Sequence, residues 1–144
     1  MTTSGGLSLV VFSGGYDRVH YALAMAAAAS AIGRPVSLLF SGRALTALLA
    51  ESAPGQPGWL GLDPADDGSS PAERDHVFAG RGIGTLDELL GACAALGVTV
   101  IVCEMAVRAL GLPAGIRLRD DVPSTPGGIV SFLSAGVGHA IVFI

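Results

Sequence analysis

Lysine is absent from this sequence: its eight basic residues are all arginine, set against twelve acidic ones for a formal net charge of −4. That balance excludes a nucleic acid or an anionic membrane surface as the main partner. Charge of either sign is scarce, at 14% of residues, while 51% are hydrophobic, which excludes a disordered chain. Cysteine occurs twice, as Cys93 and Cys103, which is too few for a disulfide framework and the wrong spacing for a Cys-x-x-Cys redox pair. No apolar run is long enough to span a bilayer: Val19–Gly33 and Ile129–Ile144 fall short of the ~20 residues required. The opening Met-Thr-Thr-Ser-Gly-Gly has neither the basic nor the apolar part of a secretion signal. A single soluble, cytoplasmic domain over residues 1–144 is therefore expected. With so few charges to cover it, part of its surface is expected to be buried between subunits, as in a homo-oligomer.

What the chain does have is alternation. Leu7–Phe12 reads as a strand, Tyr16–Ile32 as an alanine-rich helix capped by Gly33, and Pro35–Phe40 as a second strand. Two strands and a helix in so short a span make a right-handed parallel βαβ unit. Arg43–Ala50 follows as a short helix. From Glu51 to Gly84 the pattern breaks into Pro-Gly and Asp-Gly turns, read as a long polar loop with a helical turn near Ala72–Val77. Trp59 and Leu60 are the apolar groups in that loop expected to pack onto something. Thr85-Leu86-Asp87-Glu88 has the form of a capping box and opens a helix that ends at Gly97. Val98–Cys103 is a β-branched run of the kind buried on both faces, with a short helix after it. Ile116–Leu118 reads as a short strand, Asp120–Pro126 as a loop, Gly127–Ala135 as a helix and His139–Ile144 as a last strand. The fold class that follows is α/β: a three-layer αβα sandwich around a mainly parallel sheet of about five strands, with a flavodoxin/Rossmann-like topology.

Cys103 is the leading candidate for chemistry. It stands where a strand hands over to a helix, at the sheet edge where α/β proteins gather ligands, and the free N–H groups of a helix start favour a thiolate. Glu104 beside it works against that ionisation. Cys93 falls mid-helix among leucines and reads as core. Ser13-Gly14-Gly15 follows a strand and opens a helix, so its amides are placed to meet an anion, but it lacks the spacing of a phosphate loop and reads as a tight turn. Tyr16, Asp17 and His20 fall on the same sheet edge as Cys103. No metal-ligand spacing and no Gly-x-Ser-x-Gly elbow is present, and no cofactor is expected.

Four stretches give the chain a family likeness. They are Phe12-Ser13-Gly14-Gly15-Tyr16-Asp17-Arg18-Val19-His20-Tyr21-Ala22, Val36–Phe40, Gly97–Ala106 with Leu110-Gly111-Leu112, and Gly127–Leu133. In these the sequence resembles the DsrE/DsrF-like family, in particular its DsrE-like sulfur-trafficking branch, sometimes labelled peroxiredoxin-like. The most specific of them is the cysteine after a strand, with a Met two residues on and a short helix ending in Gly. The resemblance implies a homo-oligomeric α/β protein of sulfurtransferase type. Cys103 would accept sulfane sulfur as a persulfide and relay it, with a TusA-like carrier or a rhodanese as partner. Ser13, Gly14, Tyr16, Asp17, His20, Glu104 and Met105 would line the site. The alternative is a non-catalytic binding or assembly protein in which Cys103 is buried and inert. A thiol peroxidase is disfavoured by the lack of a Pro-x-x-x-Thr/Ser-x-x-Cys pattern.

Overall fold

Strand β2 (Val36–Phe40) is buried at every position, and its neighbours β1 (Leu7–Val11) and β3 (Thr99–Cys103) nearly so. Central strands of a parallel sheet are covered on both faces, which is why they read as unbroken apolar runs. The computed structural model describes residues 5–144; the opening four residues, read above as lacking a secretion signal, lie outside the described residues. Five parallel strands, completed by β4 (Thr125–Gly127) and β5 (Ala140–Phe143), lie in the order β4-β3-β2-β1-β5. With helices on both faces this is a three-layer α/β sandwich.

The order of the strands fixes which helices lie on which face. From β1 to β4 the chain always steps to the same side, so right-handed crossovers put α1 (Tyr16–Ala31), α2 (Pro71–Gly80), α3 (Leu86–Ala95) and α4 (Glu104–Ala109) on one face. The step from β4 back to β5 reverses direction and sends α5 (Ile129–Ala135) across the other face. Its seat there is visible at Gly136, where a Cβ would stand 2.6 Å from Ser8 Oγ, and at His139, whose Nδ1 lies 2.9 Å from the same oxygen. The α1 face takes Leu9, Val11, Leu38, Phe40, Val100 and Val102; the α5 face takes Ser8, Val10, Leu39, Ile101 and Cys103.

Three local expectations need correction. The stretch from Glu51 to Gly84 is more ordered than a loop: it holds a 3₁₀ turn at Gly58–Gly61 and the ten-residue helix α2. Ser70 accepts from the Glu73 amide while Glu73 returns the bond to Ser70, with Pro71 at the first helical position. Ile116–Leu118 is no strand of the sheet; Leu118 makes only an isolated antiparallel bridge to Leu49. The edge strand lies instead at Thr125–Gly127, inside a segment whose prolines read as loop, because Pro126 there takes an outer position where no amide is required. The short helix expected over Arg43–Ala50 is present, as a 3₁₀ stretch at Gly42–Leu48. No described helix is long and apolar enough to cross a membrane.

Candidate functional site

Cys103 is the last residue of β3 and the N-cap of α4, the strand–helix joint expected of it. Its thiol is sealed, with 1% of the residue exposed. The neighbouring strand packs tightly beside it. Gly127 is its register partner on β4, and a Cβ there would come within 2.9 Å of Ile101 Cγ2 and 3.0 Å of Ser131 Oγ. Only glycine lets β4 and the start of α5 close down this far over β3. Glu104 is exposed, and Met105 is 53% exposed on the outer side of α4. A cleft of about 510 Å³, lined by Val102, Glu104, Val107, Arg108 and Pro126, backs onto β3 from the α1 face, opposite the row to which Cys103 belongs.

Ser13, Gly14 and Gly15 form the tight turn rather than an anion cradle. Ser13 Oγ accepts from the Gly15 amide at 3.1 Å, and the Tyr16 amide is taken by the carbonyl of Asp63 at 3.2 Å. Phe12 and Ser13 both donate to the Ile144 carbonyl. Gly14 is pinned from above: a Cβ would meet Arg43 Cβ at 2.6 Å and Asp63 Oδ2 at 2.7 Å. The Ser13, Gly15 and Tyr16 amides are thus spent within the fold.

Tyr16 and His20 reach the same sheet edge as Cys103 but on the other face. Both are buried in an aromatic cluster with Trp59 and Phe78. The Tyr16 hydroxyl donates to Asp75 Oδ1 at 2.5 Å, and His20 Nε2 lies 2.7 Å from the Gly84 carbonyl oxygen. Burial, and after it the bond to Asp75, holds the Tyr16 phenol well above the usual tyrosine range. Asp17 accepts from the Asp66 amide at 2.8 Å and pairs with Arg74 at 3.3 Å, and Arg74 in turn lies over the Phe78 ring. These three residues therefore brace the 51–84 segment against α1 instead of lining an approach to Cys103. Trp59 packs as expected. Asp75, Arg74 and Phe78, the partners on α2 of Tyr16, Asp17 and His20, are hidden in the sequence because that helix reads there as little more than a turn.

Cys93 is core, its Sγ 3.6 Å from the Leu23 carbonyl oxygen, and burial pushes its thiol up to about 11. A second, more polar cleft of about 820 Å³ lies under the 3₁₀ turn. There Arg119 is held by Asp121 and Asp87, each at 2.8 Å, and Trp59 Nε1 donates to the same Asp87. Arg119 is thus a strut that fastens the 116–121 segment to α3. Among the described residues no group of His, Cys, Asp and Glu is arranged to hold a metal ion.

No family model matches the chain, and no curated protein matches it. Among solved structures, it is similar to that of a protein of unknown function, MTH1491 from Methanobacterium thermoautotrophicum. The TM-score is 0.56 at 13% identity, covering 98% of this chain and 100% of the other. That likeness extends to the fold.

Proposed function

We propose that this chain is a sulfur carrier of the DsrE/DsrF-like kind, with Cys103 as the residue that holds the sulfur. The observation that supports this reading is the position of the thiol at the strand–helix joint on the carboxyl edge of the sheet, the place where α/β proteins perform chemistry. In the step proposed, the Cys103 thiolate attacks a sulfane sulfur of a polysulfide. The donor S–S bond breaks, the shortened polysulfide leaves with the electron pair, and Cys103 keeps one sulfur as a persulfide. An acceptor thiolate, on a TusA-like carrier or a rhodanese, then attacks the outer sulfur and releases the Cys103 thiolate. Because the thiol is sealed, the exchange requires the Gly127–Ser131 cover to lift from β3. That cover hangs on a three-residue edge strand, one of the cheaper elements of the sheet to open.

The burial of Cys103 itself favours the second reading, a non-catalytic assembly protein in which this cysteine is inert. Intact mass after incubation with polysulfide, on wild type and Cys103→Ser, separates the two. A gain of one sulfur mass per chain that dithiothreitol removes and Cys103→Ser lacks supports the carrier. Folded protein that takes up neither sulfur nor an alkylating reagent at Cys103, while the unfolded chain takes up both, establishes the inert core cysteine.

A further inference from the structure

Strands β3 and β4 lie side by side, but the chain leaves them in opposite directions. From β3 it passes into α4 on the α1 face, and from β4 into α5 on the other. Where adjacent strands of an α/β sheet send the chain to opposite faces, a crevice opens beyond their carboxyl ends, and ligands bind there. The cleft of about 510 Å³ stands at this place: Val102 of β3 and its register partner Pro126 of β4 both line it. A space of that size is typical of small-molecule sites. Its outer wall, the 112–118 segment, is fastened by backbone bonds beyond the cleft. The Ala50 amide donates to the Arg117 carbonyl at 3.0 Å, and the Arg119 amide to the Leu48 carbonyl at 2.9 Å. The fold therefore holds this wall in place without a ligand.

The lining has an apolar part and a charged part. Val107, Leu112, Ile116 and Leu118 are half-buried, each leaving some apolar surface open to the cleft. Glu104 and Arg108 are one helical turn apart on α4, and both line the same space. Glu followed by a cation at this spacing is the favourable order for an ion pair along a helix. Among the described residues neither of the two makes an ion pair, with the other or with any third group. Both charges are thus left to meet whatever enters.

We infer that this cleft binds a free amino acid with an apolar side chain. Arg108 takes its carboxylate, Glu104 its ammonium, and the wall of Val107, Ile116 and Leu118 its side chain. Charge complementarity selects this class. A simple carboxylic acid would pair with Arg108 but set its charge against Glu104, and a simple amine would meet the reverse conflict. The guanidinium fork matches a carboxylate in geometry as well as charge. Ser124 is the one other polar side chain among the described lining residues, so a polar ligand side chain would give up water with little in return. The inference does not rest on sulfur chemistry at Cys103, which belongs to the row on the other face of β3.

The test is a titration of the isotope-labelled chain with L-leucine and with L-phenylalanine, followed through its amide chemical shifts. Each is run beside the acid that lacks its ammonium and the amine that lacks its carboxylate. At least one amino acid is expected to shift the amides of 102–118 and 124–126 saturably, and to bind about tenfold or more tightly than either of its halves. Arg108→Gln and Glu104→Gln change exposed positions and leave the core intact. Each is expected to weaken that amino acid about tenfold, Arg108→Gln by erasing its advantage over the amine and Glu104→Gln its advantage over the acid. No saturable shift with either amino acid through the millimolar range overturns the inference. So does a half that binds as tightly as its parent, a set of shifts away from the cleft, or an affinity that both variants keep. Should a variant misfold by circular dichroism, the comparison of parents and halves on wild type decides alone.

Discussion

The Tyr16 hydroxyl and the Asp75 carboxylate, fifty-nine residues apart, meet at 2.5 Å, and the same Asp75 oxygen accepts the Leu86 amide at 2.8 Å. One carboxylate oxygen thus ties the first turn of α1, the middle of α2 and the first turn of α3. Neither partner of Asp75 is open to water, since Tyr16 and Leu86 are both fully buried.

Removing the phenol oxygen tests that knot. Tyr16→Phe keeps the ring among His20, Trp59 and Phe78 but leaves Asp75 short of one donor. The expected loss is about 1–3 kcal/mol of unfolding free energy, the usual cost of stranding a charged acceptor. Urea unfolding followed by circular dichroism measures it. Asp75→Ala is expected to cost at least as much, because it strands the Tyr16 hydroxyl and the Leu86 amide together. If the knot exists, the double variant loses less than the sum of the two singles. Strictly additive losses would mean that the two residues are not coupled.

The helix that carries Asp75 shows what the sequence made legible and what it did not. Strands β1, β2 and β3 and helix α1 were readable because burial on both faces leaves an unbroken apolar run, and a long alanine-rich helix has one strong propensity. Helix α2 has no such pattern: Pro71 is its one buried residue, and its contacts are made by half-buried Arg74, Asp75 and Phe78. Its signal is the Ser70-Pro71-Ala72-Glu73 start, the same kind of box as at Thr85–Glu88. Edge strand β4 escaped because three residues with a proline carry no periodicity. At the site, the sheet edge of Cys103, Tyr16 and His20 was legible, since a parallel sheet puts every strand end on one side. Which face each residue takes was not, because that depends on register and on the late reversal from β4 to β5.

Capping gives that helix a direct test. Ser70→Ala removes the oxygen that accepts the Glu73 amide at 3.1 Å, and Thr85→Ala removes its counterpart on α3, where Glu88 donates at 3.2 Å. Each is expected to cost about 0.5–2 kcal/mol. The two losses differ in reach. Helix α3 buries Leu86, Leu90 and Cys93 in the core, so Thr85→Ala lowers global stability. Helix α2 is outermost, so Ser70→Ala speeds hydrogen exchange over 71–80 more than it shifts the urea midpoint. Equal effects on midpoint and local exchange in both variants would place α2 in the global folding unit.

Cys93 makes a prediction in pH, and its sign is set by burial. The thiol is fully enclosed on α3 and its ionisation is pushed up from an ordinary value near 9 to about 11. In the unfolded chain the same group loses its proton at the lower pH, so the unfolded state binds fewer protons once the pH passes about 9. Folding is then favoured fully below that point and progressively less as pH rises toward 11. About two pH units of displacement correspond to a loss on the order of 2–3 kcal/mol across that window. Cys93→Ala is expected to be less stable than wild type at neutral pH, since it leaves a small cavity against Leu23, but to lack this thiol's share of the alkaline decline. The two stability curves therefore converge between pH 9 and 11. Tyr16, also held neutral by burial, adds a decline of its own that sets in from about pH 10, where an ordinary phenol ionises, and both proteins share it. Curves that stay parallel through pH 9–11 would show that the Cys93 thiol ionises as easily folded as unfolded, and that the packing of α3 on α1 is looser than its sulfur contact implies.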